Sequence, residues 1–197
     1  MRKKNHFYPK EYNEIDFDSV EASEEAVLAM KGKKCLYDIY VEIYKLMMAS
    51  AMKHLNLGVD AKILEIGSGG GFIKEIFPNV ITSDIKPLSN VDMVVNAEDL
   101  PFEDGELSAI FAVHAIHHIP DINKFLTESI RTITDGGGVV CVEPYWSLLA
   151  CYMYKKMHPE PFDKKAYNWT LDSSGPMSGS NQALSYILIK REIKKSF

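Results

Sequence analysis

The fold is decided by the stretch KILEIGSGGG at residues 62–71. Its first half is a short run of isoleucine and leucine, which is typical of a strand buried in a parallel sheet. Its second half is a cluster of glycines, which predicts a tight turn that a ligand can approach more closely than a Cβ would allow. Residues 72–77 then predict a short helix, which Pro78 ends. Strand, turn and helix together indicate the first half of a nucleotide-binding βαβ unit.

The segments that follow extend this unit into a sheet. Four more apolar runs predict strands at residues 79–84, 92–96, 106–113 and 139–144. A helix is predicted at residues 121–134, between the last two of these strands. This alternation predicts an α/β fold, a Rossmann-like, open and mostly parallel sheet with helices on both faces. Ligands of such sheets bind at the carboxyl ends of the strands.

The chain before the sheet is interpreted as a separate unit. Residues 1–58 predict an N-terminal helical extension or lid, since apolar side chains recur at spacings of three and four residues between Val27 and His54. Gly32 is expected to divide this region into two helices. Residues 59–197 are interpreted as the cofactor-binding domain.

The chain after the sheet predicts less regular structure. A helix is predicted at residues 145–157, and a loop rich in proline and glycine follows at 158–180. A loop of that length in a compact domain is usually functional or partly disordered. A last strand is predicted at residues 184–190.

Composition excludes several classes of function. The 197 residues suit one domain, with 46% hydrophobic and 25% charged residues. The net charge of −5 argues against a nucleic-acid partner, and no apolar run reaches the length of an integral membrane segment. Three sparse cysteines fit a cytoplasmic protein with reduced thiols. They and the histidines lack ligand spacing, so no metal site is predicted. The oligomeric state stays open, with a homodimer as one possibility.

Two acidic positions follow the second and third predicted strands. Asp84 ends the second strand, where a carboxylate accepts hydrogen bonds from the 2′ and 3′ oxygens of a ribose and disfavours a 2′-phosphate. The segment NAEDLPF at residues 96–102 follows the third strand. Its backbone and its carboxylate suit the exocyclic amine of an adenine, which needs an acceptor. The two positions therefore predict a ligand that contains adenosine.

The glycine turn does not suit a dinucleotide. A pyrophosphate site would require a third glycine at position 72, where the chain has Phe72. Glu65, two residues before Gly67, would repel a pyrophosphate and suits a cationic ligand. A nicotinamide oxidoreductase is therefore only a distant alternative.

Several motifs in order resemble one family. The run ILEIGSGGG at residues 63–71 resembles motif I of the class I S-adenosylmethionine-dependent methyltransferases. The run NAEDLPFEDG at 96–105 is similar to their adenine-side motif in the branch that methylates small molecules. Residues 115–121 resemble that branch's segment after the fourth strand, and residues 136–138 resemble its turn before the fifth. The resemblance covers about residues 60–145 and implies S-adenosylmethionine as the cofactor.

The resemblance also implies which residues contact that cofactor. They are Glu65 near its amino-acid end, Gly67, Ser68 and Gly69 along it, Asp84 at the ribose, Ala97 and Glu98 around the adenine, and His114 and Ala115 near the sulfonium. The family's sheet usually ends in a two-stranded hairpin. This chain offers one strand there, so its C-terminal end is expected to be shortened.

The implied function is in-line methyl transfer to an oxygen or nitrogen. The acceptor is expected to be a small molecule or a saccharide or lipid-linked precursor, because residues 158–163 and 174–179 resemble methyltransferases of polysaccharide and glycolipid biosynthesis. His117 or His118 is a candidate general base beyond the fourth strand. The alternative is a non-catalytic partner protein that binds S-adenosylmethionine and keeps the methyltransferase fold.

Overall fold

A computed structural model describes residues 15–69, 72–158, 160–166, 169–177 and 179–192. Its sheet has five strands, namely β1 (Ile63–Ile66), β2 (Ile81–Asp84), β3 (Met93–Val94), β4 (Leu107–Val113) and β5 (Ile133–Val142). All neighbouring strands pair in parallel, in the order β3-β2-β1-β4-β5. The predicted α/β architecture is confirmed.

The order of the strands decides where a ligand can bind. The chain winds outward from β1 to β3 and then returns to place β4 on the other side of β1. The loops after β1 and β4 therefore separate to opposite faces and leave a crevice at the carboxyl ends of these strands. All four residues of β1 are buried, which explains why three of them are isoleucine or leucine.

Helices cover both faces of the sheet. They are α1 (Val20–Gly32), α2 (Lys34–His54), α3 (Ile122–Thr132) and α4 (Leu148–Lys156). On one face α2 contributes Tyr44 and Met47 to a cluster with Ile63 of β1. On the other face α3 contributes Ile122 and Phe125 to a second cluster. These two apolar layers hold the carboxyl ends of the strands in fixed positions.

Side-chain caps set the starts of α1, α3 and α4, the last through Ser147. Ser19 accepts a hydrogen bond from the backbone N–H of Ala22 at the start of α1. Asp121 does the same for Asn123 and Lys124 at the start of α3. Such caps satisfy amide groups that have no partner inside a helix.

Two predicted elements differ from the structure. The strand predicted at residues 184–190 is wrong, because the chain there forms a π-helical segment, Tyr186–Glu192. Leu184 and Ile187 are both buried, and their separation of three residues is a helical period. The helix predicted at residues 72–77 is only a 3₁₀ turn, Phe72–Glu75.

The triple glycine at residues 136–138 also differs from its prediction as a turn before the fifth strand. It lies inside β5, where the pairing with β4 shifts register between Leu107 and Ala109. Gly136 has a φ of +81°, which lets the strand bulge there.

The remaining expectations concern the chain ends. The first 14 residues of the predicted extension lie outside the described residues, and the rest of it forms α1 and α2. The described part of the loop predicted at 158–180 contains no helix or regular strand. Within the described residues, no helix combines the length and the hydropathy that a bilayer crossing requires.

Candidate functional site

A cavity of about 550 Å³ lies at the carboxyl ends of β1, β2 and β4. This volume falls within the usual range for sites that bind small molecules. Its floor includes Gly67 and Gly69 after β1, Asp84 at the end of β2, and His114 and Ala115 after β4. With Ala97 and His118, which also line it, the structure brings seven predicted site residues to one cavity, at the crevice that the strand order creates.

The glycine turn has a backbone that other residues rarely adopt. Gly67 and Gly69 have φ angles of +63° and +66°. A Cβ on Gly67 would lie 2.6 Å from the Cβ of Ala115, so the two segments can meet only because Gly67 has no side chain. The turn therefore presents its backbone directly to the cavity.

Ser68 points away from the cavity and fastens the turn to β2. Its hydroxyl donates to the carbonyl of Glu65 at 3.2 Å and accepts from the N–H of Ser83 at 3.1 Å. Its own N–H donates to the carbonyl of Ser83 at 2.8 Å. The role of Ser68 in this structure is to position the turn.

Asp84 lines the cavity and also orders its neighbours. Its Oδ2 accepts from the N–H of Gly69 at 3.1 Å, and its Oδ1 accepts from the N–H of Lys86 at 2.9 Å. Burial raises the pKa of Asp84, although these backbone hydrogen bonds favour its ionised form. The carboxylate is therefore fixed at the cavity floor by the turn on one side and by its own strand end on the other.

The residues predicted to surround the adenine, Ala97 and Glu98, lie in different places. Asn96 and Ala97 line the cavity, whereas Glu98 does not. The Oε1 of Glu98 accepts from the N–H of Asp121 at 2.7 Å. Glu98 thus connects the segment after β3 to the start of α3.

Glu65 lies beneath the turn, on the side that α2 covers. It is 1% exposed and does not line the cavity. Within the described ranges its Oε2 has no hydrogen-bond partner. Burial raises the pKa of Glu65 to about 7, although hydrogen bonds from Ser68 and Tyr44 favour the ionised form. An unpaired buried carboxylate oxygen one residue before the cavity wall leaves an acceptor that a cationic ligand group can satisfy.

The roof of the cavity comes from both ends of the described chain. From α1, Ser23 and Val27 line it, and from the C-terminal side Gly175 and Met177 do so. The N–H of Met177 donates to Oδ1 of Asp18 at 2.5 Å and thereby joins the two segments.

Lys86 fastens α1 to the end of β2. Its Nζ donates to the carbonyls of Phe17 and Ser19 at 3.1 and 3.3 Å, and also to the hydroxyl of Ser23. Burial lowers the pKa of Lys86, while Asp84 and other acidic groups oppose that change. The sequence pattern does not reveal this anchor, because its partners lie more than 60 positions away.

The three histidines after β4 occupy different positions. His114 has a φ of +53° and lines the cavity, and burial lowers its pKa. His118 also lines the cavity, and burial together with the charge of His117 lowers its pKa to about 4. His117 is 2% exposed and points away from the cavity, into a buried polar cluster.

That cluster surrounds His117 with two carboxylates and an amide. Its Nδ1 lies 2.5 Å from Oε2 of Glu143, and its Nε2 lies 3.7 Å from Oε2 of Glu160. The amide nitrogen of Gln182 lies 3.0 Å from the same Nε2. Burial opposes a charged ring, but the hydrogen bonds and charges of the two carboxylates outweigh it and raise the pKa of His117 to about 9.

The residues present fit S-adenosylmethionine. The glycine turn provides open backbone, Asp84 provides a carboxylate at the cavity floor, and beneath the turn Glu65 provides a buried Oε2 that no described residue contacts with a hydrogen-bond donor. These are the features that an adenosine with a cationic amino-acid end requires.

Comparisons with known proteins agree with this fit. Residues 64–141 match the family model described as "Methyltransferase domain". The ubiquinone/menaquinone biosynthesis C-methyltransferase UbiE of Brucella canis is 39% identical over 57 residues, which are 28% of this chain and 21% of that protein. The protein of the same name from Rickettsia prowazekii is 38% identical over 61 residues, 30% of this chain and 25% of that protein. The matched segment thus spans about a quarter or less of these relatives.

Solved structures are also similar to part of this chain, and one of them shows the extent of the match. The YcgJ protein of Bacillus subtilis has 26% sequence identity, and the match covers 52% of this chain and 50% of that chain with a TM-score of 0.44. The match of residues 64–141 to the methyltransferase domain model confirms the recognition of a class I methyltransferase domain with S-adenosylmethionine as its cofactor.

Proposed function

We propose that this protein transfers a methyl group from S-adenosylmethionine to an oxygen or nitrogen atom of a small-molecule acceptor, with saccharide and lipid-linked precursors as the first candidates. The observation that carries the proposal is the cavity floor, where the open backbone of Gly67 and Gly69 meets the carboxylate of Asp84. When bound, the cofactor supplies an already activated methyl group. The protein then contributes mainly by holding the acceptor in line.

The acceptor side of the cavity is assigned to its roof and to the wall after β4. The roof has small and apolar residues, among them Val27, Pro176 and Met177, whereas the wall carries the rings of His114 and His118. An apolar roof above a wall with nitrogen acceptors suits an acceptor that has both a hydrocarbon part and a polar group.

The general-base proposal applies to the two histidines unequally. Only His118 lines the cavity, and its lowered pKa of about 4 keeps the ring neutral but makes it a weak base. His117 is turned toward Glu143 and Glu160.

The proposed function is tested in two layers with the whole chain. Calorimetry is expected to show one site for S-adenosylmethionine and for its demethylated product, and absence of both would contradict the proposal. A product assay by mass spectrometry then compares sugar, lipid-linked and phenolic acceptors, with a quinone precursor as a carbon acceptor because the matched relatives are named C-methyltransferases. Binding without transfer to any of them would favour the non-catalytic partner, and transfer to carbon alone would contradict the choice of oxygen or nitrogen.

Asp84→Ala is expected to weaken the binding of S-adenosylmethionine by about 10- to 100-fold, because a charge-assisted hydrogen bond to a ligand contributes about 1.5–3 kcal/mol. The measurement is a calorimetric titration. Asp60→Ala is the matched control, since Asp60 is an exposed acidic residue that precedes β1 and does not line the cavity. Equal affinities for the two variants would show that Asp84 does not contact the cofactor.

A further inference from the structure

Three potential metal ligands converge beside the cavity. The Nε2 atoms of His117 and His118 lie 3.7 and 3.8 Å from Oε2 of Glu160. The three ligand atoms all lie within 4.8 Å of one another. In a tetrahedral site with bonds of 2.0–2.1 Å the ligand atoms are about 3.3 Å apart, so small side-chain rotations are enough to close the observed gaps around an ion.

The other nitrogen of each ring already faces an oxygen. The Nδ1 of His117 lies 2.5 Å from Oε2 of Glu143, and the Nδ1 of His118 lies 3.2 Å from the carbonyl oxygen of Gly179. A carbonyl accepts only from a protonated nitrogen, so the lone pair of His118 is on Nε2. Metal-binding histidines usually have this second contact, which fixes the tautomer and turns the free nitrogen toward the ion.

The amide of Gln182 indicates the same tautomer for His117. Its nitrogen donates to Oε2 of Glu160, which excludes the flipped orientation of the amide because two oxygens would then face each other. The same nitrogen lies 3.0 Å from Nε2 of His117 and donates to it in the tautomer that has its proton on Nδ1. The carboxylates of Glu143 and Glu160 both face His117, and a divalent cation that takes the place of the ring's second proton would balance their charge.

We propose that His117, His118 and Glu160 form a site for one divalent transition-metal ion, with Glu143 as the carboxylate that orients His117. Two imidazoles and one carboxylate are a ligand set that suits Zn²⁺ and similar ions. Binding of the ion replaces the hydrogen bond between the Gln182 amide and Nε2 of His117. Three protein ligands leave a further coordination position open for a substrate.

The open position would face the methyl donor, because His118 belongs both to the ligand set and to the cavity wall. Resting on the proposed function, this placement names the acceptor class: a molecule whose hydroxyl oxygen occupies that position. The ion lowers the pKa of the hydroxyl, whose proton leaves to solvent. The oxygen then bonds to the methyl carbon as the carbon–sulfur bond breaks, and S-adenosylhomocysteine leaves.

Metal content tests the site without any assay of activity. The full chain, purified without a histidine tag or chelator and dialysed against Zn²⁺, is expected to retain about one Zn²⁺ per chain by elemental mass spectrometry. In a chelator competition, Glu160→Gln is expected to bind Zn²⁺ at least about 100-fold more weakly, and Glu143→Gln about 10- to 100-fold more weakly. Co²⁺ in the wild-type site is expected to show the d–d bands of a four- or five-coordinate ion.

His54→Ala is the matched control, because His54 is an exposed histidine at the end of α2. Wild-type protein without stoichiometric Zn²⁺, or an equal loss of Zn²⁺ in His54→Ala, would overturn the proposal. Circular dichroism and calorimetry with S-adenosylmethionine check that each variant folds. If Glu160→Gln does not fold, His118→Asn repeats the test, since it removes an imidazole ligand and keeps a polar side chain at the cavity wall.

Activity distinguishes this inference from the proposed function. Removal of the ion is expected to abolish methyl transfer to a hydroxyl acceptor while the affinity for S-adenosylmethionine stays the same. Transfer that continues at full rate in metal-free protein would contradict the role of the ion and support the proposed function. One bound Zn²⁺ in a chain that transfers no methyl group would support the metal site and contradict the proposed function.

Discussion

Gly67→Ala is expected to abolish measurable binding of S-adenosylmethionine and to lower the free energy of unfolding by about 2–5 kcal/mol. Two physical effects add at this position. The φ of +63° is strained for any residue with a Cβ, and the new Cβ would lie 2.6 Å from that of Ala115. A methyl attached directly to the backbone of Ala115 cannot swing away, so the segments after β1 and β4 must separate. Urea unfolding and calorimetric titration measure the two losses.

A second substitution separates the clash from the strain. In Gly67→Ala/Ala115→Gly the opposing methyl is absent, so about half of the lost stability is expected to return while the φ strain remains. Gly58→Ala is the control, because a Cβ at Gly58 meets nothing within 4 Å and the residue has no positive φ. If Gly67→Ala were as stable as Gly58→Ala, the close approach of the two segments would be refuted.

Glu65→Gln is expected to remove a pH dependence of stability. In the wild type the folded pKa of about 7 is above the unfolded value, so the native chain holds its proton more tightly. That contribution to stability is complete below the unfolded pKa near 4.5, and it is lost as the pH rises through 7. The amide of glutamine does not titrate, so it contributes no such pH dependence. Without ligand, the free energy of unfolding of the variant is therefore expected to exceed that of the wild type by up to about 3 kcal/mol at pH 8 and to match it at pH 4.

In the binding of S-adenosylmethionine, by contrast, the wild type is expected to exceed Glu65→Gln. A cationic group near the unpaired Oε2 of Glu65 favours the ionised carboxylate, so wild-type affinity for S-adenosylmethionine is expected to rise between pH 5.5 and 7. Glu65→Gln is expected to bind about 10- to 100-fold more weakly at pH 7, with a flat pH profile. Glu42→Gln, an exposed glutamate of α2, is the control. A variant that keeps the wild-type pH profiles of unfolding and of binding would contradict the assignment.

The sequence predicted the floor of the site because its signals are local. The glycine turn and Asp84 each lie where a strand ends, and parallel strands bring such positions to one edge. The chemistry of those residues was therefore enough to locate the cavity. The sequence did not predict that Glu65 and Ser68 turn away from it, since that depends on α2 and β2 packing against β1.

The buried cluster behind the cavity has no local signal. His117 meets Glu160 and Gln182, which lie 43 and 65 positions further along the chain. The expectation of no metal site rested on ligand spacing, and a set assembled by tertiary contacts has no characteristic spacing. By contrast, the helical period of Leu184 and Ile187 was present in the sequence, and β-branched residues around them favoured the mistaken strand.

The contact between Asp18 and Met177 also has a consequence for the order of folding. It joins residues 159 positions apart, and such long-range contacts are slow to form because the loop between them must first be closed. The parallel sheet depends on contacts of shorter range and can be complete while the two roof segments are still apart. We therefore expect the cavity to be the last part of the chain to assemble. A cofactor that binds the closed form would then draw the final step of folding to completion.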